Sequence, residues 1–288
     1  SPPLLLSSGQ LTATVLGVSH VNDAAGDYFS LGNLSPGTQV TLTVTPTQHA
    51  IDGMSARQAL QLQHRWSFGE SAGATQFTDT VTGLASAELR GSGATVGAGQ
   101  VTLPGGSQAT AAYIDLPNGI VSSRASSATY EGWAVINGSQ SWSRLFDFGT
   151  GTSGEITGPG GSQSGTEYLL LTAQNGGTLT TNRVEFRING VSQYADPVVP
   201  YNAGQMFHFA VAYDANGNTP MMRYYRNGVL MANVSVSKPL SDLDDVNNWL
   251  GRGQYTDPCL NGAYSEFRVW NGAFSDAQAM ASTTAGPD

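Results

Sequence analysis

The chain has 288 residues, of which 36 are glycine and 13 are proline, and only 11% are charged. Its net charge of −9 would repel a nucleic-acid backbone, so we exclude DNA and RNA as partners. No apolar run reaches the roughly 18 residues of a membrane-spanning helix, and we expect no such segment.

The chain begins at Ser1 without Met, and we interpret it as the mature form of an exported protein, extracellular or at the cell surface. Cys259 is the only cysteine, so stability must come from core packing and not from disulfides.

A change in composition near residue 60 divides the chain into two predicted parts. Residues 1–60 carry only four charged side chains and contain several short strand-like runs. From residue 61 onward the strand-like runs are longer and more aromatic. We therefore predict a β-rich N-terminal segment at 1–60 and a β-sandwich domain at 61–288.

Alternation of apolar and polar residues predicts many antiparallel strands. In RVEFRI (183–188) and FHFAVAYD (207–214), every second residue is apolar, which is typical of a strand with one buried face. Asn227-Gly228 lies between two strand-like runs and predicts a type I′ hairpin. Ser275 and Gln278 have capping-box spacing, so we expect a last short turn of helix.

Several segments after residue 62 occur in a characteristic order: LQHRWSF (62–68), YIDLPNGIVSS (113–123), YEGWAVI (130–136), WSRLFDFG (142–149), LGRGQYTDPCLNG (250–262) and SEFRVWNGAFS (265–275). In this order the chain resembles the concanavalin A-like, laminin-G-like domains of bacterial secreted proteins. The resemblance implies an all-β, two-sheet antiparallel jelly-roll sandwich, here with a short β-rich N-terminal segment. Residues 1–60 resemble, more weakly, the last strands of a preceding β-rich domain. Such folds include lectins, adhesion modules and hydrolases, so no single function is implied.

The segment YSEFRVW (264–270) predicts a strand with one polar face. Glu266 and Arg268 share that face with Trp270, while Phe267 and Val269 point to the other side. Charged groups on neighbouring strands can pair with this face and fix the strand register. We predict a structural polar cluster composed of Glu131, Arg144, Asp147, Glu266 and Arg268. The alternative is a ligand-facing cluster that includes Trp142 and Trp270.

The sequence offers few residues for catalysis. Glycoside hydrolysis needs two carboxylates about 5 to 10 Å apart, and none of the seven glutamates has an acidic partner at i+2 or i+4. A cross-strand pair of Glu131 and Glu266 is the alternative. The four histidines show no zinc-binding spacing. We predict no catalytic residues and a non-catalytic protein.

Calcium is the one cofactor that the family resemblance implies. Related sandwiches hold a structural calcium ion at a rim loop, through Asp side chains and backbone carbonyls. The segment FTDTVTG (77–83) matches that loop, which makes Asp79 the predicted metal ligand. We interpret the acidic run SDLDD (241–245) as the solvated start of a helix.

One functional hypothesis is a carbohydrate-binding module that recognises surface glycans. Sandwich lectins stack sugar rings on aromatic side chains and bind hydroxyl groups with polar loops. The predicted ligand-binding residues are Trp142, Arg252, Gln254, Tyr255, Asp257 and Trp270. Of these, Arg252 and Tyr255 lie in a Gly-rich loop, and we expect them to be exposed.

The other hypothesis is a self-assembling structural or adhesion subunit. The opening SPPLLLSSGQLTATVLGV (1–18) has no charge, and such a segment can add as a strand to the open sheet of a neighbouring copy. The alternative is that residues 1–60 pack on the edge of their own domain or belong to a partial sandwich. Contacts that do not close on themselves would give a filament. The predicted assembly residues are Leu4, Leu5, Leu6, Leu11 and Val15. From the sequence we favour assembly, because a sugar-binding module has no need of a 60-residue N-terminal segment with so few charges. Glycan binding is the alternative.

Overall fold

The computed structural model divides the chain into two compact units, Ser1–Ala59 and Leu60–Asp288. The structure describes residues 60–288 except 125, 139, 162 and 177–180, together with the backbone of five strands within the first unit. Each unit is described by itself.

The first unit contains the strands β1 (Leu4–Leu6), β2 (Gln10–Ala13), β3 (Val18–Asp23), β4 (Gly26–Leu31) and β5 (Leu42–Thr45). β1, β4 and β3 form a three-stranded antiparallel sheet in that order, and β2 pairs with β5. Three of the predicted assembly residues, Leu4 to Leu6, therefore lie on a strand that pairs with β4 of the same chain. Leu11 pairs with Val44, and Val15 lies outside the described residues.

Strands make up most of the regular secondary structure of the second unit. These are β6 (Gln61–Trp66), β7 (Gln76–Asp79), β8 (Leu84–Arg90), β9 (Thr95–Gly97), β10 (Gln100–Gly106), β11 (Tyr113–Leu116), β12 (Ala128–Gly138), β13 (Arg144–Gly151), β14 (Gly165–Thr172), β15 (Val184–Ile188), β16 (Val191–Ala195), β17 (Met206–Asp214), β18 (Met221–Arg226), β19 (Val229–Ser235), β20 (Asn247–Leu250) and β21 (Cys259–Asn271). A 3₁₀ turn spans Leu240–Asp242, and one α-helix, α1, spans Asp276–Ala285. Among the described residues, no helix has the length and hydropathy needed to cross a membrane.

The strands of the second unit form two antiparallel layers. The first sheet has the order β16-β15-β14-β13-β20-β11-β8-β7, and the second has the order β6-β21-β12-β17-β18-β19. A single residue pair, Trp66 with Asp79, links β6 to β7 where the two sheets meet. β10 pairs with the first half of β21, and β9 pairs with β10. The predicted antiparallel all-β sandwich is confirmed.

Aromatic side chains from both sheets meet in the core. Phe146 and Phe148 point inward from β13, and Phe209 and Phe267 point inward from the second sheet; all four are fully buried. The ring centres of Phe146 and Phe209 are 6.2 Å apart, and those of Phe148 and Phe267 are 5.9 Å apart. Contacts of this kind add about 1 kcal/mol each to the free energy of burial, and they hold the two sheets face to face.

Local patterns in the sequence place the turns and the helix correctly. Asn227 and Gly228 both have positive φ angles, 48° and 77°, as a type I′ hairpin requires. The capping box of Ser275 and Gln278 is present, and it begins α1, which at ten residues is longer than the single turn expected. α1 covers the outer face of the second sheet. For this reason β17 is buried on both faces and not on one.

Candidate functional site

The polar face of β21 is confirmed, and it lies beneath α1. Phe267 and Val269 are fully buried in the core, whereas Glu266 and Arg268 point to the outer face of the second sheet. In register, Arg268 lies opposite Glu131 of β12, and Glu266 lies opposite Trp133. Three members of the predicted polar cluster therefore come together on adjacent strands.

Glu131 is fully buried and accepts hydrogen bonds from three elements. Its Oε2 lies 2.8 Å from Nε2 of His208 on β17 and accepts a 2.6 Å bond from the Ser282 hydroxyl of α1. Its Oε1 accepts a 2.6 Å bond from the Trp270 indole. Thr283 of α1 completes the network, with its Oγ1 at 2.7 Å from Nδ1 of His208. The carboxylate thus fastens the helix to the sheet.

Glu266 is the second buried carboxylate on this outer face of the sheet. It accepts bonds of 2.7 and 3.2 Å from the Arg65 guanidinium of β6 and a further bond from Arg268. The Asp288 backbone N–H also donates to it, at 3.0 Å. These contacts raise the pKa of Arg65, chiefly through the bond to Glu266. Because every carboxylate oxygen in this network is paired with donors, it has the features of scaffolding.

Arg144 and Asp147 are not part of that network, so the prediction that they pair with Glu266 and Arg268 is wrong. Both lie on β13, in the other sheet, where the core separates them from β21. The Arg144 Nε donates to Asp147 Oδ2 at 3.2 Å, and its Nη2 donates to Asp257 at 3.0 Å. Burial raises the pKa of the fully buried Asp147 to about 7, although Arg144 and the Gln254 N–H lower it.

Arg252 and Gln254 are buried, which corrects the expectation that Arg252 is exposed. The Arg252 guanidinium lies over the rings of Tyr113 and Trp249, at 4.6 and 4.5 Å from their centres. It donates to the backbone carbonyls of Gly158 and Gly160 and so clamps the 152–161 loop onto the sheet. Gln254 is enclosed in the same way, with bonds to Gln163 and Asn247. Neither side chain is free to meet a ligand.

Tyr255, Asp257 and Trp142 keep part of their surface in solvent. The Tyr255 hydroxyl donates to the Gly165 carbonyl at 3.0 Å, which fixes the ring near Tyr168. All three lie on the outer side of the first sheet. Trp270 is half-buried on the opposite sheet and binds Glu131. The structure therefore brings together part of the predicted ligand set and leaves Trp270 apart.

Trp142 has an unusual backbone conformation. It lies in the turn that precedes β13, with a φ angle of 61°. For a bulky residue this left-handed conformation costs of order 1 kcal/mol or more, and such residues cluster at functional sites. The strain is held by the following residues, because the Trp142 carbonyl accepts a bond from Arg144.

Two residues outside the predicted ligand-binding set flank this tryptophan. The Arg183 guanidinium carbon lies over the Trp142 ring, 5.2 Å from its centre, and over the Tyr194 ring, 4.0 Å from its centre. The Tyr194 side chain is half exposed. We refer to Trp142, Arg183 and Tyr194 as the Trp142 platform. It forms because β13, β14, β15 and β16 are neighbours, with Arg144 paired to Thr172 and Arg183 bonded to the same threonine.

Asp79 does not fit the calcium site that the resemblance implied. Its side chain is almost fully buried, and both oxygens are used: Oδ1 accepts from the N–H groups of Arg65 and Val81, and Oδ2 binds His64 and Thr82. Burial alone would raise the pKa of Asp79, but these bonds lower it below its usual value. Within the described ranges, no three His, Cys, Asp or Glu side chains converge to hold a metal ion.

The acidic run at 241–245 also differs from the sequence interpretation. Asp245 is buried and accepts bonds from the Val121 and Ser122 N–H groups, at 2.8 and 3.2 Å. It therefore ties the loop after β11 to the segment before β20, and only the start of the run forms the 3₁₀ turn.

Two carboxyl groups with raised pKa values lie on the same side of the first sheet. Asp115 on β11 and Asp147 on β13 are both in register with Trp249 of the intervening strand β20. Burial raises the pKa of Asp115 to about 6, against the opposing effect of Arg90. Asp147 and Trp249 have no exposed surface, so a substrate cannot reach both carboxyl groups at once.

Comparison with known families identifies the fold. The model of the concanavalin A-like lectin/glucanase superfamily, of the laminin-G type, matches residues 108–280, which is more than half of the chain. The chain belongs to this superfamily. The concanavalin A-like jelly roll predicted from the order of the segments is therefore confirmed. Comparison with curated protein sequences gave no match.

Solved structures with the concanavalin A-like fold are similar to this chain at low identity. Domain 4 of AbnA, a GH43 extracellular arabinanase from Geobacillus stearothermophilus solved with arabinotriose, has a TM-score of 0.58 at 17% identity, over 77% of this chain and 98% of that one. A botulinum neurotoxin type C structure, described with two ganglioside molecules, has a TM-score of 0.54 at 13% identity, over 81% of this chain and 52% of that one. At these identities the likeness concerns the fold alone.

Proposed function

We propose that the protein is a non-catalytic carbohydrate-binding module that binds glycans at the Trp142 platform. The observation that carries the proposal is the left-handed backbone of Trp142, which directs a partly exposed indole toward Arg183 and Tyr194. Backbone strain at a bulky residue persists only when its surroundings enforce it. We interpret the strain as the energetic cost of presenting an aromatic surface to a ligand.

The chemistry of the platform suits a sugar. Tyr194 is half exposed, so one part of its ring surface is available for stacking against a pyranose or furanose. Around the two rings, Asp257 and Asp196 keep 26% and 31% of their side-chain surface in solvent. Carboxylates at such positions accept hydrogen bonds from sugar hydroxyl groups. Aromatic area with a few fixed polar groups is the usual composition of a ligand site.

Two further observations support the proposal. The arabinanase domain with this fold is complexed with arabinotriose, which makes neutral oligosaccharides the first compounds to test. The carboxyl groups of Asp115 and Asp147 flank a fully buried tryptophan, which favours binding over hydrolysis. An extracellular or cell-surface location, where glycans are displayed, fits this function.

The test is isothermal titration calorimetry of the whole chain against arabinotriose and a panel of other oligosaccharides. We expect at least one to bind, and we expect Trp142→Ala and Tyr194→Ala to weaken that binding strongly. Trp270→Phe is the matched control, because it alters an aromatic residue on the other sheet and should leave the affinity unchanged. A panel without any binding, or binding that survives both platform substitutions, would overturn the proposal.

Self-assembly is a second candidate, and it rests on the position of β1. This strand is at the edge of the order β1-β4-β3, so among the described strands only one of its sides is paired. A neighbouring copy can add a strand at such an edge. We expect wild-type oligomers in analytical ultracentrifugation to become monomers when residues 1–18 are deleted. A wild-type chain that is monomeric, or an unchanged mass after deletion, would remove this candidate.

A further inference from the structure

We infer that the Trp142 platform selects uncharged sugars and discriminates against glycans that carry carboxylate groups. This inference rests on the proposed function, because it specifies the ligand class of the same site. It follows from the way each arginine that touches a platform ring is already committed to carboxylates of this chain.

Arg183, the cation of the platform, is held by two acidic residues. Its Nε and Nη2 donate to the two oxygens of Asp196 at 2.8 and 2.7 Å, which is a bidentate pair. Its Nη1 lies 3.5 Å from Glu185. Asp196 directly follows β16 and faces Arg183 because Ala195 is paired with Val184. A carboxylate-bearing sugar would have to displace Asp196 to form the same bidentate contact.

Arg144, the second cation near the Trp142 ring, is occupied in the same way. Its guanidinium carbon lies 5.7 Å from the ring centre. It binds Asp147 at 3.2 Å and Asp257 at 3.0 Å. The pKa of Asp257 is raised, chiefly by burial and against the effect of Arg144. Two acidic residues thus surround each of the two arginines, in a chain whose net charge is −9.

Arg187 on β15 is an arginine that does not belong to these ion pairs. It is two residues after Glu185 on the same face of the strand, and its Nη1 donates to the Ser192 hydroxyl at 3.3 Å. Its register partners are Tyr168 and Ser192. Arg187 is the residue through which an anionic sugar would bind if the inference is wrong, and it therefore belongs in the test.

Uncharged sugars need none of these ion pairs to break. Their apolar ring faces stack on Tyr194 and Trp142, and their hydroxyl groups donate to Asp196 and Asp257 while these remain bound to arginine. A carboxylate has a second acceptor lone pair on each oxygen, which makes this shared use possible. The same aromatic area is therefore available to an uncharged sugar ring and unavailable to a sugar that carries a carboxylate.

The experiment compares matched glycans that differ in one charge. Lactose and sialyllactose form one pair, and a neutral and a uronic-acid trisaccharide form another. We expect the neutral member to bind about fivefold more tightly or better. We also expect its affinity to stay constant between ionic strengths of about 0.01 and 1 M, over which the Debye length falls from about 30 to about 3 Å.

Substitution of the carboxylate that holds Arg183 provides the decisive variant. Asp196→Asn releases the guanidinium and removes a charged acceptor from the neutral sugar, so the affinity for the anionic member relative to the neutral one should rise by about fivefold. Asp244→Asn, at an exposed position away from the platform, is the matched control for the change in net charge.

The outcomes separate the two proposals. If the wild type binds the anionic member more tightly, and Trp142→Ala abolishes that binding, the charge inference is overturned and glycan binding at the platform stands. Loss of the same binding in Arg187→Gln would then identify the responsible cation. Absence of binding by every glycan overturns the proposed function, and the inference with it. The inference is also overturned if Asp196→Asn and Asp244→Asn change the affinity for the anionic glycan by the same factor.

Discussion

His208 and Glu131 are joined across neighbouring strands by a 2.8 Å contact, and both side chains also hold α1. Ser282 of the helix donates to Glu131, and Thr283 contacts the other nitrogen of His208. Ala279 is the only buried residue of the helix, and the Tyr225 hydroxyl adds one bond to Asp276 in its first turn. The attachment of α1 to the sheet therefore depends on this polar network more than on apolar packing.

Glu131→Gln should destabilise the second unit by about 1–3 kcal/mol. The amide keeps one acceptor oxygen but leaves buried donors of His208, Trp270 or Ser282 without a partner. Urea unfolding followed by tryptophan fluorescence measures the change. Glu155→Gln is the matched control at an exposed position and should stay within about 0.5 kcal/mol of the wild type. If both variants unfold at the same urea concentration, the network does not hold the helix.

The strand that carries Glu266 could be predicted from sequence, but its partners could not. Alternation in 264–270 gives the polar face directly, since successive side chains of a strand point to opposite sides. The contact between Glu266 and Arg65 joins residues 201 positions apart. Periodicity contains no information on which strands become neighbours. Arg144 and Asp147 were therefore assigned to the wrong sheet.

The loop that carries Arg252 and Tyr255 shows a second limitation, because its burial could not be predicted from the sequence. A Gly-rich segment with Arg252 and Tyr255 resembles an exposed binding loop in sequence. In the structure Gly251 has a φ of 83°, and the segment turns inward so that Arg252 meets the rings of Tyr113 and Trp249. The burial of this arginine depends on long-range aromatic contacts. Arg183 and Tyr194 were missed for the same reason, because RVEFRI indicates a strand but not that Trp142 lies beside it.

Arg252→Gln should loosen the 152–161 loop without weakening glycan binding. The substitution removes the bonds to the carbonyls of Gly158 and Gly160 and the contact with two aromatic rings. We expect a loss of about 2 kcal/mol or more in the free energy of unfolding. Hydrogen exchange should show faster exchange in 152–161.

Arg124→Gln is the control for this change, because Arg124 bonds only partly buried or exposed partners, Ser123 and Gln63. It should alter neither the loop nor the stability appreciably. If hydrogen exchange in 152–161 is unchanged in Arg252→Gln, Arg252 does not hold this loop. If Arg252→Gln loses glycan affinity while the platform is intact, Arg252 takes part in ligand binding.

Asp147 should make the protein less stable as the pH rises from about 4 to about 7. Its pKa is 3.8 in the ordinary reference state and about 7 in the fold, so the native state binds more protons than the unfolded chain in this interval. The free energy of unfolding then falls with rising pH. The contribution is fully present below the lower pKa and is lost above the higher one. Asp147→Asn cannot titrate, so its stability relative to the wild type should increase across the interval.

Urea unfolding of both proteins at several pH values measures this difference. Other titrating groups affect both proteins alike and cancel in the comparison. A difference that does not vary between pH about 4 and about 7 would show that Asp147 titrates as in the unfolded chain.

Trp142→Gly and Trp142→Ala should separate the binding role of the indole from the strain of its backbone. Both variants lose the ring and should lose glycan binding together. Because φ is 61° at this position, glycine adopts the conformation without steric cost, whereas alanine does not. We expect the glycine variant to be more stable than the alanine variant by about 1 kcal/mol in urea unfolding.

Tyr194 provides the matched control for this pair of substitutions. It lies within β16, in ordinary strand conformation, where glycine is less stable than alanine by about 0.5–1 kcal/mol. The order of stability should therefore reverse: glycine above alanine at 142, and alanine above glycine at 194. Both pairs should still weaken glycan binding, because each removes a ring of the platform. The same order at both positions would mean that the backbone of Trp142 is not strained and gives no support to a binding role for this residue.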